Sequence, residues 1–293
     1  MSDFSTYWWS DDSQRPNLGD VITPILLDRF FSKKTIQANL TAAELMSTGS
    51  ILGHLWDEHQ ILVEENESKW LKKKKVKIRE EKLFVVGSGF IHPWIKINDV
   101  YHDFLHIISV RGFLTKNLLS NAYDVSKVTL GDPGLLLPKI IQTSENAFKK
   151  YKYGVIPHHS RFDDHDFWSA FDQLESVCKI DFRTNDIDLV ARQMLECDVI
   201  LSQSLHGLIF ADSLGIQNVW IENGIEDKGG AFKFYDYFSS IDRPFSKRVI
   251  IDQNFKIEDL SINIFLLEKI VLEKLQCDIE ESFFRFFDQI KSR

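Results

Sequence analysis

The stretch of residues 197–222 constrains the fold of this chain more than any other part of the sequence. Its apolar, β-branched run Val-Ile-Leu at 199–201 is typical of a buried parallel strand. Ser204 follows this run and is a candidate N-cap for a helix predicted over residues 205–214. A second strand is predicted over residues 218–221. The stretch therefore predicts a strand–helix–strand unit of an open α/β sheet.

His206 and Gly207 lie at the strand-to-helix turn of this unit. In open α/β sheets, ligands bind beyond the carboxyl ends of the strands, where the first helical N–H groups and the helix dipole favour an anion. A histidine followed by a glycine at this point can meet a phosphate and move a proton. The alternative is that His206 hydrogen-bonds the turn while Gly207 allows close packing, and both interpretations stay open at this stage.

The composition narrows the class of protein. Hydrophobic residues make up 44% of the 293 residues, as in a globular protein with a full core. A net charge of −8 argues against a general nucleic-acid binder, so no nucleic-acid partner is expected. Cys178, Cys197 and Cys277 form no metal or disulfide pattern, and neither a signal peptide nor a membrane-spanning run is predicted. We therefore expect a cytoplasmic protein with reduced cysteines.

Strands alternate with helices on both sides of a polar segment at residues 142–152, and each half has loops at the ends of its strands. This alternation predicts an α/β fold of two Rossmann-like domains that face each other across a cleft. We place the first domain at residues 1–145 and the second at 146–261. A terminal helix within 262–293 is expected to pack back onto the first domain.

Two further places in the first half are candidate binding positions. Asn17 and Asp20 belong to a glycine-containing loop that opens a helix, with Asp20 as the expected helix cap and Pro24 in the first turn. The loop could receive a phosphate or could be an ordinary capped turn. Arg111 ends a strand predicted over residues 107–112, so that it either points into the crevice or forms a structural ion pair.

Arg161 and Lys228 are weaker candidates, because either could be an ordinary surface charge. The histidines before Arg161 are adjacent in sequence and point to opposite faces if extended, so no metal site is predicted. A basic run at residues 70–82 is compatible with peripheral contact to an anionic membrane, but a solvated loop or edge segment is the favoured explanation, because acidic residues flank the run on both sides.

Seven short motifs occur in an order that resembles the polysaccharide pyruvyl transferase family, from about residue 17 to residue 238. They are Asn-Leu-Gly-Asp at 17–20, Gly-Ser-Gly at 87–89, Ser-Val-Arg-Gly at 109–112, Gly-Asp-Pro-Gly at 131–134, Ile-Pro-His at 156–158, Ser-Leu-His-Gly at 204–207 and Lys-Phe-Tyr-Asp-Tyr at 233–237. The ordered set is more specific than any single motif.

The resemblance implies a fold like that of the two-domain GT-B glycosyltransferases, and transfer of a pyruvyl group from phosphoenolpyruvate to a sugar as a ketal. The acceptor would be a glycan or its lipid-linked precursor, met at the inner face of the membrane. The family's arginine falls on Arg111 and its histidine on His206. We expect both to be catalytic, with His206 as the general acid. Ser204 and Gly207 would offer the donor a helix start, and no cofactor is implied.

Two alternatives remain on the sequence alone. A GT-B glycosyltransferase that uses a nucleotide-sugar donor would share the same fold, because fold does not fix function. A non-catalytic glycan-assembly protein could also have kept the fold, although Arg111 and His206 speak against it. The tract at residues 53–82 matches no motif that we can place, and acceptor binding is therefore unassigned.

Overall fold

The computed structural model describes residues 4–9, 16–56, 81–95, 97, 103–142, 148–222, 230–244, 248–252 and 255–291. Its strands form two sheets, and every strand pairing in both sheets is parallel. This confirms the predicted mixed α/β class with Rossmann-like sheets, while the GT-B arrangement of the two halves stays a prediction.

The first sheet has the strand order β2-β1-β3-β4-β5-β6. Its described elements are β1 (Phe4–Tyr7), α1 (Leu18–Arg29), β2 (Thr35–Gln37), β3 (Leu45–Met46), a 3₁₀ helix (Leu52–Leu55), β4 (Leu83–Ser88), β5 (Leu105–Val110), α2 (Phe113–Leu119), β6 (Thr129–Leu130) and a second 3₁₀ helix (Pro133–Lys139).

The second sheet has the strand order β11-β10-β9-β7-β8. Its described elements are β7 (Tyr151–Ile156), a 3₁₀ helix (His159–Arg161), α3 (His165–Ser169), β8 (Val177–Lys179), α4 (Ile187–Leu195), β9 (Cys197–Ser202), α5 (Leu205–Ser213), β10 (Gln217–Glu222), α6 (Phe232–Ser240), β11 (Val249–Ile250), α7 (Ile257–Asn263) and α8 (Lys269–Lys291).

The strand–helix–strand unit predicted from residues 197–222 is present as β9, α5 and β10. The two strands pair in parallel, with Gln217 opposite Val199 and Trp220 opposite Ser202. Gly215 follows α5 with a φ of +64°, a left-handed conformation that glycine adopts without a Cβ penalty.

Helix α1 differs from its prediction. Its N-cap is Asn17, whose Oδ1 accepts the Gly19 N–H at 3.2 Å, so the expected cap at Asp20 was wrong. Asp20 instead lies in the first turn, where a carboxylate is stabilised by the helix dipole. Because the helix starts earlier than expected, Pro24 lies in its interior and not in its first turn.

Helix α8 packs against β4, β5 and β6 of the first sheet, although it follows the second sheet in the chain. Its apolar face buries Ile279, Phe283, Phe286 and Phe287. The Phe286 ring centroid lies 5.4 Å from that of Phe4 in the first strand. The last helix therefore covers a face of the sheet that begins the chain.

The buried apolar residues of the described chain form three clusters, and one of them, which we call the shared core, runs through both halves. It joins residues of α1, the Pro133–Lys139 helix, α5, α6 and α8, including Leu18, Leu136, Phe210 and Phe283. The expected domain boundary at residue 145 lies outside the described residues and stays a prediction.

Candidate functional site

A pocket of about 160 Å³ lies where the carboxyl ends of β7 and β9 meet the start of α1. It is lined by Asn17, Asp20, Ser50, Pro157, His158, His159, Phe182, Ser204, Leu205, His206 and Lys233. The structure thus brings together four of the residues predicted from sequence, namely Asn17, Asp20, Ser204 and His206.

The N-terminus of α1 forms one wall of the pocket. The Leu18 N–H donates to the Phe182 carbonyl at 2.8 Å and thereby fixes this helix end to the second half of the chain. Asn17 holds the first turn on both sides, since its Oδ1 accepts from Gly19 and its Nδ2 donates to Asp20 Oδ2 at 2.8 Å. These contacts hold a helix N-terminus, with its partial positive charge, at the pocket.

The N-terminus of α5 forms the facing wall. Ser202 Oγ accepts the Ser204 N–H at 3.0 Å and donates to the Ser204 carbonyl at 2.8 Å, so this side chain closes the turn. Ser204 is the N-cap, but its own hydroxyl makes no capping hydrogen bond in the described structure. Because Ser204 lines the pocket, its hydroxyl is placed to hydrogen-bond a ligand there.

Two glycines let these elements come close. A Cβ on Gly19 would overlap the His206 ring, and a Cβ on Gly207 would overlap Ser202 Oγ. Gly19 thus sets the contact between the starts of α1 and α5. Gly207 is not among the described residues that line the pocket, and its close packing agrees with the simpler of the two interpretations drawn from sequence.

The His206 side chain is almost fully enclosed, with 8% of the residue exposed. Its Nε2 is buried and has no hydrogen-bond partner among the described residues. Burial, together with the smaller effect of the positive charges of Arg111 and Lys233, lowers the pKa of His206 to about 3. The imidazole is consequently neutral in the unliganded protein at neutral pH.

Arg111 lies behind the pocket and is fully buried. Its Nε donates to Asp236 Oδ2 at 3.0 Å, Nη1 to Ser50 Oγ at 2.6 Å and Nη2 to the Phe90 carbonyl at 2.6 Å. Asp236 also accepts from the N–H and the hydroxyl of Thr115. The guanidinium therefore reaches the pocket through Ser50, and its charge is paired with that of the buried Asp236 carboxylate.

Of the two weaker candidate cations, Arg161 is among the described residues and Lys228 is not. Arg161 forms an ion pair with Asp164 at 2.9 Å, stands over the Phe167 ring and is not among the described residues that line the pocket. The cation that lines the pocket is Lys233, in the first turn of α6.

The sequence interpretation missed three functional positions. Lys233 and Asp236 both belong to the Lys-Phe-Tyr-Asp-Tyr motif at 233–237, so the motif was noted without a role. Ser50 belongs to the Ser-Thr-Gly-Ser segment after β3, for which no role was predicted from sequence. A signal existed for Ser50 and Lys233, because polar residues that follow a parallel strand or open a helix lie at the binding edge of such a sheet.

A larger cavity of about 640 Å³ lies between α3 and the residues after β11. Its lining includes Asp166, Asp172 and Asp252, which makes it unsuited to an anionic ligand. In the described part of the chain, no three His, Cys, Asp or Glu side chains come together as metal ligands. No described helix combines the length and hydropathy needed to cross a bilayer.

The fold and the pocket together define a class: an α/β protein with two parallel sheets, whose strand ends and helix N-termini build a small pocket suited to an anion. The family model described as polysaccharide pyruvyl transferase matches residues 17–224, well over half of the chain. The protein belongs to the polysaccharide pyruvyl transferase family, and the resemblance drawn from the ordered motifs is confirmed. Membership supports a polysaccharide pyruvyl transferase role.

Among curated proteins, an uncharacterized protein of Acanthamoeba polyphaga mimivirus is 38% identical to this chain over 143 residues. The aligned region covers 47% of this chain and 50% of that protein, so the chain spans about half the length of its curated relative. No solved structure matches the chain significantly.

Proposed function

We propose that this protein transfers the pyruvyl group of phosphoenolpyruvate to a sugar, as a ketal across two hydroxyls, and releases phosphate. The observation that supports this most is the convergence of two helix N-termini on one pocket that also holds His206 and Lys233. Helix N-termini and a lysine are the groups that bind phosphate and carboxylate in proteins. The acceptor sugar would come from a glycan or a lipid-linked saccharide.

In this proposal the donor lies between the starts of α1 and α5. Ser204, the free N–H groups of α5 and Lys233 hold its anionic groups, and Asn17 orients it from the α1 side. Arg111 acts as a positioning residue that holds Ser50 and adds positive potential. Asp20 is a carboxylate and suits a neutral hydroxyl better than a phosphate, so we place an acceptor hydroxyl beside it.

His206 supplies a proton to the methylene carbon of the donor. An acceptor hydroxyl then forms a bond to the neighbouring carbon, the bond from that carbon to the phosphate oxygen breaks, and a second hydroxyl completes the ketal. One hydroxyl proton replaces the proton taken from His206, and the other leaves with phosphate. Because His206 is neutral before the donor binds, it must first be protonated, and the negative charge of the donor favours that protonation.

The pocket volume favours this proposal over a nucleotide-sugar glycosyltransferase. Pockets for drug-sized ligands enclose roughly 300–1,000 Å³, and a nucleotide sugar is at least as large. A pocket of about 160 Å³ suits a three-carbon phosphate ester better than a base, a ribose, two phosphates and a sugar.

The proposal is tested first with the wild-type protein, phosphoenolpyruvate and a panel of free and lipid-linked saccharides, by measuring phosphate release. If no saccharide releases phosphate, the proposed function is wrong. With an active saccharide in hand, His206→Ala should lower turnover by about 10²–10⁴, the usual contribution of a positioned acid. His165→Ala is the matched control, because that histidine side chain is 95% exposed on α3.

His206→Gln separates acid catalysis from phosphate binding. If His206 is the acid, glutamine leaves phosphoenolpyruvate affinity in calorimetry nearly unchanged while turnover stays low. If glutamine restores most of the turnover and changes mainly the donor affinity, His206 binds phosphate and another group supplies the proton.

A further inference from the structure

Three aromatic rings follow the carboxyl ends of three neighbouring strands of the first sheet. Trp9 comes two residues after β1, His54 lies in the 3₁₀ helix after β3, and Trp94 lies in the loop after β4. These strands are adjacent in the order β1-β3-β4 and are all parallel. The three rings therefore lie along one edge of the sheet, the edge at which ligands bind in such folds.

Contacts fix the orientation of these rings. The Trp9 and His54 ring centroids are 5.1 Å apart, and the Tyr7 hydroxyl lies 2.8 Å from His54 Nδ1. The Trp94 ring stacks on His92 at 4.8 Å with an interplanar angle of 14°. One face of the Trp94 indole is thus covered, and its exposed area belongs to the other face and the edges.

The loop that carries Trp94 packs on the helix that carries His54. A Cβ on Gly53 would lie 3.1 Å from Cδ1 of Ile95, so the Ile95 side chain packs against the helix backbone at Gly53. We call Trp9, His54 and Trp94 together the aromatic platform. The platform is held in shape by these contacts while Trp9 and Trp94 remain 42% and 71% exposed.

The platform adjoins the pocket described above. Ser50 lines the pocket. His54 follows it four residues later, inside the 3₁₀ helix. Because Ser50 and His54 are four residues apart, the platform begins within roughly 14 Å of Ser50. A molecule held against the platform can therefore extend into the pocket.

We infer that the aromatic platform binds the acceptor saccharide, an inference that rests on the proposed function and names where its second substrate lies. The C–H face of a pyranose packs on the electron-rich face of an indole, while its hydroxyls stay in water or bind polar groups at the rim. Two rigid tryptophans provide this contact at a low cost in side-chain entropy. The platform contains no carboxylate, lysine or arginine, which fits a neutral ring better than the anionic donor.

The first experiment measures saccharide binding without donor. Saturation-transfer NMR is recorded with methyl glycosides of glucose, galactose, mannose and their N-acetylamino counterparts at millimolar concentration. We expect transfer to at least one glycoside in the wild-type protein, its loss in Trp9→Ala and Trp94→Ala, and partial recovery in Trp94→Phe. Phe148→Ala, which truncates an aromatic residue that is 89% exposed at the start of the second half, should match the wild type.

Two results would overturn the inference: no transfer to any glycoside, or transfer that both tryptophan variants retain. A third contrary result concerns membranes, because tryptophan also anchors proteins at bilayer interfaces. If Trp94→Ala abolishes binding to vesicles of anionic phospholipid and leaves glycoside binding intact, the platform is a membrane contact.

Kinetics then distinguish the failure of this inference from failure of the proposed function. With an active acceptor, Trp94→Ala should raise the acceptor KM about tenfold and leave kcat and the phosphoenolpyruvate KM within twofold of wild type. An unchanged acceptor KM rejects the platform and leaves the proposed function standing. If the wild-type protein binds a glycoside through the platform but releases no phosphate with any saccharide, the platform stands as a saccharide site and the proposed function is wrong.

Discussion

At the scale of single residues, Arg111 is held by three protein groups and is closed off from solvent. A buried ion pair is expensive to form, but removing one partner leaves an uncompensated charge in the interior and costs more. Without Arg111, the buried carboxylate of Asp236 would be left without its compensating charge. The stability of the region behind the pocket is thus tied to the residue that the family motif singles out.

Arg111→Lys should therefore lower stability as well as donor use. A lysine keeps the charge but cannot donate simultaneously to Asp236, Ser50 and the Phe90 carbonyl. We expect a loss approaching the roughly 3–5 kcal/mol that follows removal of one partner of a buried pair, measured by urea denaturation. Arg29→Lys is the control, because its pair with Asp188 is partly exposed and worth at most about 1 kcal/mol. A fully stable and fully active Arg111→Lys protein would contradict the assigned role.

His206 makes stability depend on pH. Its pKa of about 3 in the folded protein lies below the ordinary value of 6.5, so the unfolded chain takes up a proton that the folded protein does not. The contribution of His206 to stability is full above pH 6.5 and is lost as the pH falls toward 3. Between pH 7.5 and 5, the difference in unfolding free energy between wild type and His206→Gln should fall by roughly 2 kcal/mol.

The comparison with the His206→Gln variant separates the effect of His206 titration on stability from that of other buried groups. Burial also raises the pKa of Asp132 and of Asp212 to about 6. These carboxyls act in the opposite sense, because their contribution to stability is lost as the pH rises through 6. They are present in both proteins and cancel in the difference, so a difference that does not change with pH would contradict the low pKa of His206.

At this scale, sequence patterns located the residues whose position follows from local structure. Ser204 and His206 were found because they follow a strand and begin a helix. The partner of Arg111 could not be found in this way, since Asp236 lies in a different helix of the other half of the chain. Whether Arg111 faced the crevice or formed an ion pair was left open by the sequence for the same reason.

At the scale of elements, the contact between the starts of α1 and α5 depends on one glycine. Gly19→Ala adds a methyl group that overlaps the His206 ring. Alanine stabilises a helix more than glycine does, so a loss of stability of about 1–3 kcal/mol would come from the steric overlap with the His206 ring. We expect turnover to fall with it, up to about 10²-fold, because small displacements of reacting groups are costly. Thermal unfolding and phosphate release measure the two effects.

A double-mutant cycle provides the control for this glycine. His206→Ala removes the ring that the Gly19→Ala methyl group would meet, so Gly19→Ala should cost less in that background than in the wild type. Equal costs in the two backgrounds would show that the methyl group disturbs something other than His206.

The elements themselves were predicted unevenly, for physical reasons. The β9–α5–β10 unit was confirmed because its strands are buried and its helix is bounded by Ser204 and Gly215. The two-residue strand β11 and the three-residue strand β2 are too short to show a recognisable hydrophobic period. The cap of α1 was placed wrongly because Asn17 and Asp20 are both good N-caps, and only the turn geometry decides between them.

At the scale of the whole molecule, the shared core predicts cooperative unfolding of the two halves. Phe283 of α8 is fully buried and belongs to the apolar core that runs through both halves. Phe283→Ala should cost about 3–5 kcal/mol, and hydrogen exchange should show that β4 and β9 lose protection together.

Phe284→Ala is the matched control for this prediction. Its side chain lies on the same helix but is 54% exposed, so its removal should change stability far less. If Phe283→Ala weakens protection in β4 and leaves β9 unchanged, the two halves unfold as separate units despite their shared core.

The packing of Phe4 against Phe286 and Phe287 also bears on how the chain is made. During synthesis the first strand leaves the ribosome long before helix α8 exists, although domains generally begin to fold as they emerge. The apolar face that α8 covers therefore stays exposed to solvent until nearly all of this chain has been translated. A ribosome-associated chaperone would consequently have the largest effect on the yield of native protein while the first half is exposed and α8 is not yet translated.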